Sequence, residues 1–353
     1  MREESRKFLH KLLTTPSPTG HEQKIQRVVI NRMQQYADYI ETDYHGNTIV
    51  AKNPDAKLRI MLAGHCDQIG FMVEHVTKDG FIHIFPLGGI DNGVLHGTQI
   101  TIHSKSGPVQ GVVGRKPIHL QTGEERSKNP TEIRNIWVDI GAKNKKEVEK
   151  IIEIGDPATF SLGVSELRND MICSPGLDDK AGLYVAMEAF RLCARAKLQV
   201  ALFAVSTVQE EVGLRGARTS AFGVDPDVGI AIDVTHATDN PGRGNKRTEV
   251  KLNAGPTICR GPNINPEVEK RLLKAAKSNR IPYQLEPSSR PLGNDANALQ
   301  VTRAGVAAAS IGIPNRYMHT QAEICSLKDL DNAAKLLATF IKNITNRTSF
   351  VPA

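Results

Sequence analysis

The stretch LQVALFAVSTVQEEVGLRG, residues 198–216, determines how the rest of the chain is interpreted. Its first half is an almost unbroken apolar run, which is typical of a central strand covered on both faces. Strands of this kind occur in α/β folds, in which helices pack on both sides of a sheet. The run ends in Glu210 and Glu211, followed by Gly213 and Gly216. Two adjacent carboxylates repel each other, so their position at the end of a buried strand needs a chemical reason.

The segments around this strand alternate between helix and strand patterns. Residues 179–196 place apolar side chains on one helical face, and DVGIAIDV, residues 227–234, is a second continuous apolar strand. A helix pattern at 266–280, a strand pattern at 306–313 and a long C-terminal helix pattern follow. The sequence therefore predicts an α/β fold with a mixed sheet sandwiched by helices.

Residues 70–165 have a different pattern. Short strands alternate with Gly, Pro and Asp turns, and only NKKEVEKII, residues 144–152, has a clear helix pattern. We predict that 70–165 form a β-rich domain inserted into a catalytic domain made of 1–69 and 166–353.

Composition excludes several classes of protein. The 353 residues are 40% apolar and 24% charged, the net charge is +7, and aromatic residues make up only 5%, so a nucleic-acid-binding surface is not expected. No apolar run approaches the roughly 18 residues of a membrane span. The five cysteines are odd in number, widely spaced and without a CxxC pair, which favours a reducing cytoplasm over a disulfide framework or a thiolate metal site.

Polar residues that could bind metal recur at five predicted strand ends or helix starts. Open α/β sheets place their ligand sites at the carboxyl ends of the strands. The candidates are His65 and Asp67, Asp178 and Asp179, Glu210 and Glu211, Asp233, and His319.

Each candidate alone has an ordinary structural explanation. Asp179 is explained as the cap of the helix that follows it, and Glu210 with Glu211 as a solvated loop pair. A single histidine is more often a hydrogen-bonded surface or core residue than a ligand. The agreement of five strand ends favours a shared site over these separate explanations.

The charges in such a site point to metal ions. Asp178, Glu211 and Asp233 would bring three negative charges into one cleft, where divalent cations would compensate them. Imidazole and carboxylate ligands without thiolates suit Zn²⁺, Co²⁺ or Mn²⁺. Neighbouring side chains at a strand end diverge, so Glu211 can bind a metal while Glu210 acts on a bound water. Asp67 can hold the ring of His65 as a supporting carboxylate.

The motifs around these residues resemble the dinuclear metallo-aminopeptidases of the glutamyl aminopeptidase, or TET (tetrahedral), family. The matching segments extend through nearly the whole chain and include PSPTGHE, GHCDQIGFMV, GLDDKAG, QEEVGLRGA, AIDVTHATDNPG and IPNRYMHT. The resemblance implies two divalent metal ions per chain, Zn²⁺, Co²⁺ or Mn²⁺, with Asp178 bridging them. It implies that His65 and Asp233 complete one site, and Glu211 and His319 the other.

The resemblance also implies a mechanism and an assembly. N-terminal residues are removed from peptides by a hydroxide bound to the two metals, with Glu210 as general base and acid and Asp67 behind His65. The implied catalytic fold is zinc-exopeptidase-like, with a cis peptide bond between Asp178 and Asp179. The implied insert is a PDZ-like dimerisation domain whose dimers build a tetrahedral dodecamer.

Two alternatives and one open question accompany this interpretation. A glycoside hydrolase is disfavoured because adjacent Glu210 and Glu211 cannot easily flank one glycosidic bond at about 5–9.5 Å. An inactive peptide-binding scaffold is disfavoured because the ligand set is intact. The preferred N-terminal residue of the substrate is left open. Four arginines either favour substrates with an acidic N-terminal side chain or are ordinary surface residues. The arginines concerned are Arg115, Arg260, Arg290 and Arg316.

Overall fold

The computed structural model describes residues 1–123, 132–242 and 248–352. Within these ranges the chain forms a large mixed sheet, helices that pack against it, and a separate six-stranded barrel. The predicted α/β fold class is confirmed. Residues 124–131 of the predicted insert lie outside the described ranges.

The strands of the large sheet are β1 (Tyr39–Thr42), β2 (Thr48–Lys52), β3 (Arg59–His65), β10 (Ser165–Leu167), β11 (Met171–Ser174), β12 (Ala201–Thr207), β13 (Val228–His236), β14 (Thr257–Arg260), β15 (Gln284–Pro287), β16 (Ala307–Arg316) and β17 (Glu323–Ser326). Their order in the sheet is β1-β2-β12-β3-β13-β16-β17-β11-β10, with β14 pairing with β16 and β15. The four central strands β12, β3, β13 and β16 are parallel neighbours. Every residue of β12 is buried, as its continuous apolar pattern predicts.

The helix patterns at 144–152, at 179–196, at 266–280 and near the C-terminus each contain a helix, with somewhat different ends. The helices of the described residues are α1 (Glu3–Leu13), α2 (Gln23–Met33), α3 (Lys145–Val148), α4 (Leu177–Cys193), α5 (Arg215–Val224), α6 (Pro266–Ser278), α7 (Asp295–Gln300) and α8 (Leu327–Lys342). The helix predicted over NKKEVEKII is limited to α3. The chain turns after Val148, and the Asp156 carboxylate accepts a hydrogen bond from the main-chain N–H of Glu153 on the way to the next strand.

The strands of the barrel are β4 (Gly70–Val76), β5 (Ile82–Leu87), β6 (Gln99–Ser104), β7 (Gly107–Arg115), β8 (Ile136–Asp139) and β9 (Pro157–Phe160). The barrel closes in the order β4-β5-β8-β7-β6-β9. It has a hydrophobic core of its own, in which the rings of Phe71 and Phe160 pack edge to face with centroids 5.3 Å apart. Closure of these strands on themselves separates the barrel from the large sheet, into which none of them enters.

Helix α4 lies directly against the central strand β3. A Cβ atom at Gly64 would lie 2.6 Å from the main-chain nitrogen of Leu183, so only glycine permits this close approach. Most of α4 is buried, including Tyr184 and Phe190. This packing fixes the position of the N-terminal end of α4 relative to the carboxyl end of β3.

Candidate metal centre

The parallel arrangement of the central strands brings the predicted residues together at one edge of the sheet. His65 is the last residue of β3, and Asp233 lies near the end of β13. Glu210 and Glu211 lie in the loop between β12 and α5, and His319 lies in the loop between β16 and β17. These side chains therefore come from separate segments of the chain and lie close together.

In the described part of the chain, two groups of three side chains have ligand atoms that all lie within 4.8 Å of one another. They are His65 with Asp178 and Asp233, and Glu211 with Asp178 and His319. Asp178 belongs to both: its Oδ1 lies 3.2 Å from Nε2 of His65, and its Oδ2 lies 3.1 Å from Nε2 of His319. The peptide bond between Asp178 and Asp179 is cis.

Asp179 is not a member of either group. Its Oδ1 accepts a hydrogen bond from the main-chain N–H of Gly182 at 2.9 Å, and its Oδ2 accepts one from the N–H of His65 at 3.2 Å. The structural explanation of Asp179 as a capping residue at the start of α4 therefore fits its contacts.

The centre carries an excess of buried negative charge. Burial and the Asp178 charge raise the pKa of Glu211 well above its ordinary value, and they do the same to the pKa of Asp233. Glu211 Oε1 is buried without a hydrogen-bond partner. Burial opposes the ionisation of Asp178, but hydrogen bonds from His319 and His65 hold the pKa of Asp178 below its ordinary range. Divalent cations would keep these carboxylates ionised, and the donor set of imidazoles and carboxylates fits Zn²⁺, Co²⁺ or Mn²⁺.

Glu210 lies beside the potential metal ligands, whereas the adjacent Glu211 is one of them. Glu210 belongs to neither group of ligand atoms, and its Oε2 lies 3.8 Å from Nε2 of His65. Burial raises the pKa of Glu210 to about 9. The charge of His65 opposes this rise, and the charges of Asp233 and Asp295 add to it. A carboxyl group beside potential metal ligands, but outside their set, can hold or release a proton.

Asp67 contacts His65 chiefly through its main chain. Nδ1 of His65 lies 3.0 Å from the main-chain oxygen of Asp67 and 3.4 Å from its Oδ1. The Asp67 carboxylate accepts hydrogen bonds from the N–H groups of Glu210 and Glu211 and from the hydroxyl of Thr19. Asp67 therefore orients the loop that carries the two glutamates as well as the imidazole ring.

Sequence reasoning missed two buried carboxylates near the centre. Glu323 accepts hydrogen bonds from the main-chain N–H of Asp178 at 2.8 Å and of His319 at 2.9 Å. Asp295 accepts one from the hydroxyl of Thr207 at 2.7 Å. The spacing of Glu323, four residues after His319, was the only local signal for the first of these.

A cleft of about 530 Å³ opens onto the centre. Besides the acidic residues and His319, its walls include Leu214, Val234, Thr235, Leu292, Asn294, Asn297 and Met318. None of the four arginines considered from the sequence lines this cleft. Arg316 forms an ion pair with Asp239 at 2.7 Å, and Arg260 forms one with Glu269.

The fold and this cluster define the class of zinc-exopeptidase-like hydrolases. More particularly, the chain belongs to the M42 glutamyl aminopeptidase family, whose model matches residues 46–336. Members of this family are metallopeptidases, and membership identifies the protein as an aminopeptidase. The family resemblance inferred from the sequence is confirmed.

Individual relatives agree with this assignment. A lysyl aminopeptidase of Pyrococcus furiosus is 36% identical over 96% of each chain. A TET aminopeptidase from a marine sediment Thaumarchaeota archaeon has a structure that matches with a TM-score of 0.92 at 32% identity, covering 98% of both chains. The TET1 peptidase of Pyrococcus horikoshii, which can assemble into a tetrahedron or a large octahedral shell, matches with a TM-score of 0.84 at 28% identity, covering 96% of this chain and all of the other. Among the described residues, no helix is both long and apolar enough to cross a membrane.

Proposed function

We propose that the protein removes N-terminal residues from peptides with the help of two divalent metal ions held at this centre. The observation that carries the proposal is the position of Asp178, whose two carboxylate oxygens each face a different histidine. A single aspartate shared between two groups of ligand atoms suits a pair of neighbouring ions.

In this proposal His65 and Asp233 would hold one ion, Glu211 and His319 would hold the other, and Asp178 would serve both. Ions bound there would supply a water of lowered pKa and would polarise the carbonyl group of the first peptide bond. The native ions are Zn²⁺, Co²⁺ or Mn²⁺, since all three accept this donor set.

Glu210 moves the proton in the proposed reaction. Its carboxylate takes up the proton of the attacking water and returns it to the nitrogen of the departing peptide, which is worth roughly 10²–10⁴ in rate. Burial raises the pKa of Glu210 to about 9, and divalent cations at the centre would lower this pKa, so that the ionised carboxylate could accept the proton. Asp67 positions Glu210 by accepting the hydrogen bond from its main-chain N–H.

The proposed reaction is tested with aminoacyl anilides. Protein treated with a chelator should hydrolyse none of them, and addition of Zn²⁺, Co²⁺ or Mn²⁺ should restore hydrolysis. Full activity after complete metal removal would contradict metal dependence. Cleavage of cellulose without cleavage of any anilide would instead favour a glycosidase, which the adjacent positions of Glu210 and Glu211 do not suit.

We further propose that the barrel mediates self-association to a dimer and then to a dodecamer. In this scheme residues 70–165 form the inserted dimerisation domain, and 1–69 with 166–353 form the catalytic domain. Large apolar side chains are exposed on and beside the barrel, namely Phe85, Val112, Ile118 and Leu120. The large assemblies of the Pyrococcus horikoshii relative support this proposal. Light scattering of the Phe85→Lys variant tests it, because a barrel interface predicts a smaller assembly.

A cytoplasmic location is part of the same proposal. All five cysteines are free thiols, and four of them are buried. Free thiols persist in a reducing compartment, which supports a cytoplasmic enzyme.

A further inference from the structure

The carboxylate of Glu286, in β15, lies directly behind the wall of the cleft. We propose that it makes the cleft select peptides whose N-terminal residue has a basic side chain, lysine or arginine. This inference rests on the proposed aminopeptidase reaction at the same centre. The family description names glutamyl substrates and one relative is a lysyl enzyme, so the preference of this chain must come from its own residues.

Strand register places Glu286 on the same face of the sheet as the metal centre. Asp233 pairs with Gly312 of β16, Gly312 pairs with Thr257 of β14, and Cys259 pairs with Glu286. Directly paired residues share a face, and so do residues two apart on one strand. Asp233, Thr257 and Glu286 therefore project from one side of the sheet.

Two threonine hydroxyls hold the Glu286 carboxylate. Thr235 donates a hydrogen bond to Oε1 at 2.7 Å, and Thr257 donates one to Oε2 at 2.8 Å. Gly312 permits this convergence, because a Cβ atom there would lie 2.4 Å from Oγ1 of Thr257 and 2.8 Å from Cγ2 of Thr235. Thr235 itself lines the cleft, so the carboxylate lies one side chain from the space that the substrate occupies.

The charge of Glu286 is not neutralised by any described cation. Both hydrogen-bond donors are neutral hydroxyls, and no lysine or arginine of the described ranges forms an ion pair with Glu286. Arg260, in the neighbouring strand β14, is paired with Glu269 instead. Burial and the Glu286 charge together raise the pKa of the nearby Cys259 thiol to about 11. The described walls of the cleft contain no lysine or arginine, and His236 is the histidine among them that lies outside the metal centre.

The distance from the metal centre to Glu286 suits a long basic side chain of the substrate. Thr235 lies two residues beyond Asp233, which corresponds to about 7 Å along a strand. Lysine carries its charge at the end of a flexible four-carbon stem, and arginine is of similar length. A substrate bound at the metal centre could extend such a side chain along Thr235 towards Glu286.

A purely structural role of Glu286 would be to connect β13 to β14 through its hydrogen bonds with Thr235 and Thr257. Glutamine has nearly the same shape and still accepts a hydrogen bond through its carbonyl oxygen, but it has no charge. The Glu286→Gln variant therefore removes the negative charge while it can keep a hydrogen bond between the strands.

The experiment compares lysyl and norleucyl p-nitroanilides, which differ by the terminal ammonium group. For the metal-loaded wild type, kcat/KM should be at least about tenfold higher with lysine, as an ion pair that forms only with the charged side chain predicts. The Glu286→Gln variant should bring the two values within about twofold of each other, chiefly by losing activity towards lysine. A matched control is Glu41→Gln, at an exposed site in the edge strand β1, which should keep the wild-type ratio. Thermal unfolding of all three proteins verifies that they are folded.

The outcomes separate this inference from the proposed function. If wild-type protein hydrolyses the norleucyl or a glutamyl anilide faster than the lysyl one, aminopeptidase activity stands and the basic preference is wrong. An unchanged ratio in folded Glu286→Gln removes the role of Glu286. Protein that cleaves no anilide with any of the three metals overturns the proposed function and the selectivity with it.

Discussion

The Oδ1 atom of Asp67 accepts a hydrogen bond from the main-chain N–H of Glu210 at 3.0 Å, although 143 residues separate the two along the chain. The other carboxylate oxygen accepts the N–H of Glu211 at 3.2 Å and the hydroxyl of Thr19 at 2.9 Å. Asp67 therefore holds the imidazole ring of His65 through its main-chain oxygen and the loop with the two glutamates through its side chain.

Replacing Asp67 should disturb metal binding and turnover together. Asparagine has one acceptor oxygen where the carboxylate has two, so Asp67→Asn leaves at least one of the three donors without its partner. We expect metal affinity or kcat/KM to fall by about 10–100-fold. Titration with Zn²⁺ and anilide kinetics measure these effects. Asp79→Asn, on an exposed turn, is the control and should leave both quantities unchanged.

Replacing Glu210 should separate catalysis from metal binding. Glu210→Gln removes the proposed proton carrier but none of the five proposed ligands, so the metal content should stay at the wild-type level while kcat falls by roughly 10²–10⁴. Glu211→Gln is the comparison and should lose metal as well as activity. Wild-type kcat in the metal-loaded Glu210→Gln protein would remove Glu210 from the mechanism.

Gly64 should be intolerant of even a methyl group. In Gly64→Ala the added Cβ would lie 2.6–2.8 Å from main-chain atoms of α4, so the helix and β3 must separate. We expect the free energy of unfolding to fall by about 1–3 kcal/mol. Denaturant unfolding measures this loss, and Gly163→Ala, where a Cβ atom has nothing within 4 Å, should show none of comparable size.

His103, in the barrel strand β6, should contribute to acid sensitivity. Burial, together with the charges of Lys24, Lys180 and His21, lowers the pKa of His103 to about 4, and its Nε2 lies 2.9 Å from the hydroxyl of Thr159. The unfolded chain then binds more protons than the folded chain between pH 6.5 and about 4, so stability falls as the pH is lowered through this window.

The variant His103→Gln tests this contribution. Glutamine can still contact Thr159 but does not titrate. The melting temperature of the variant should therefore depend less on pH between 6.5 and 4 than that of the wild type. Equal pH dependence in the two proteins would contradict a role of His103. Exposed His75, in β4, gives the control His75→Gln, which should retain the wild-type pH dependence.

The sequence predicted those features that depend on local pattern. The continuous apolar run ending at Thr207 indicated a buried central strand, and the carboxylates at strand ends indicated one shared edge. Helix α3 was predicted too long: it ends at Val148, whereas the pattern extended to Ile152.

Contacts that depend on tertiary structure were not predicted. Glu323 reaches Asp178 across 145 residues, and Glu286 reaches Thr235 across 51 residues. A carboxylate in a short or half-exposed strand has no local pattern that distinguishes it from a solvated side chain. Only the strand register shows which side of the sheet such a side chain occupies.

The central claim is that the chain binds two metal ions that share Asp178. Elemental analysis of metal-stripped protein, reloaded with Zn²⁺ and freed of excess ion, measures this directly. We expect two ions per chain in the wild type and a loss of both in Asp178→Asn, with Asp170→Asn at an exposed turn retaining two. Wild-type protein that retains no zinc, or an Asp178→Asn protein that still retains two ions, would contradict the account.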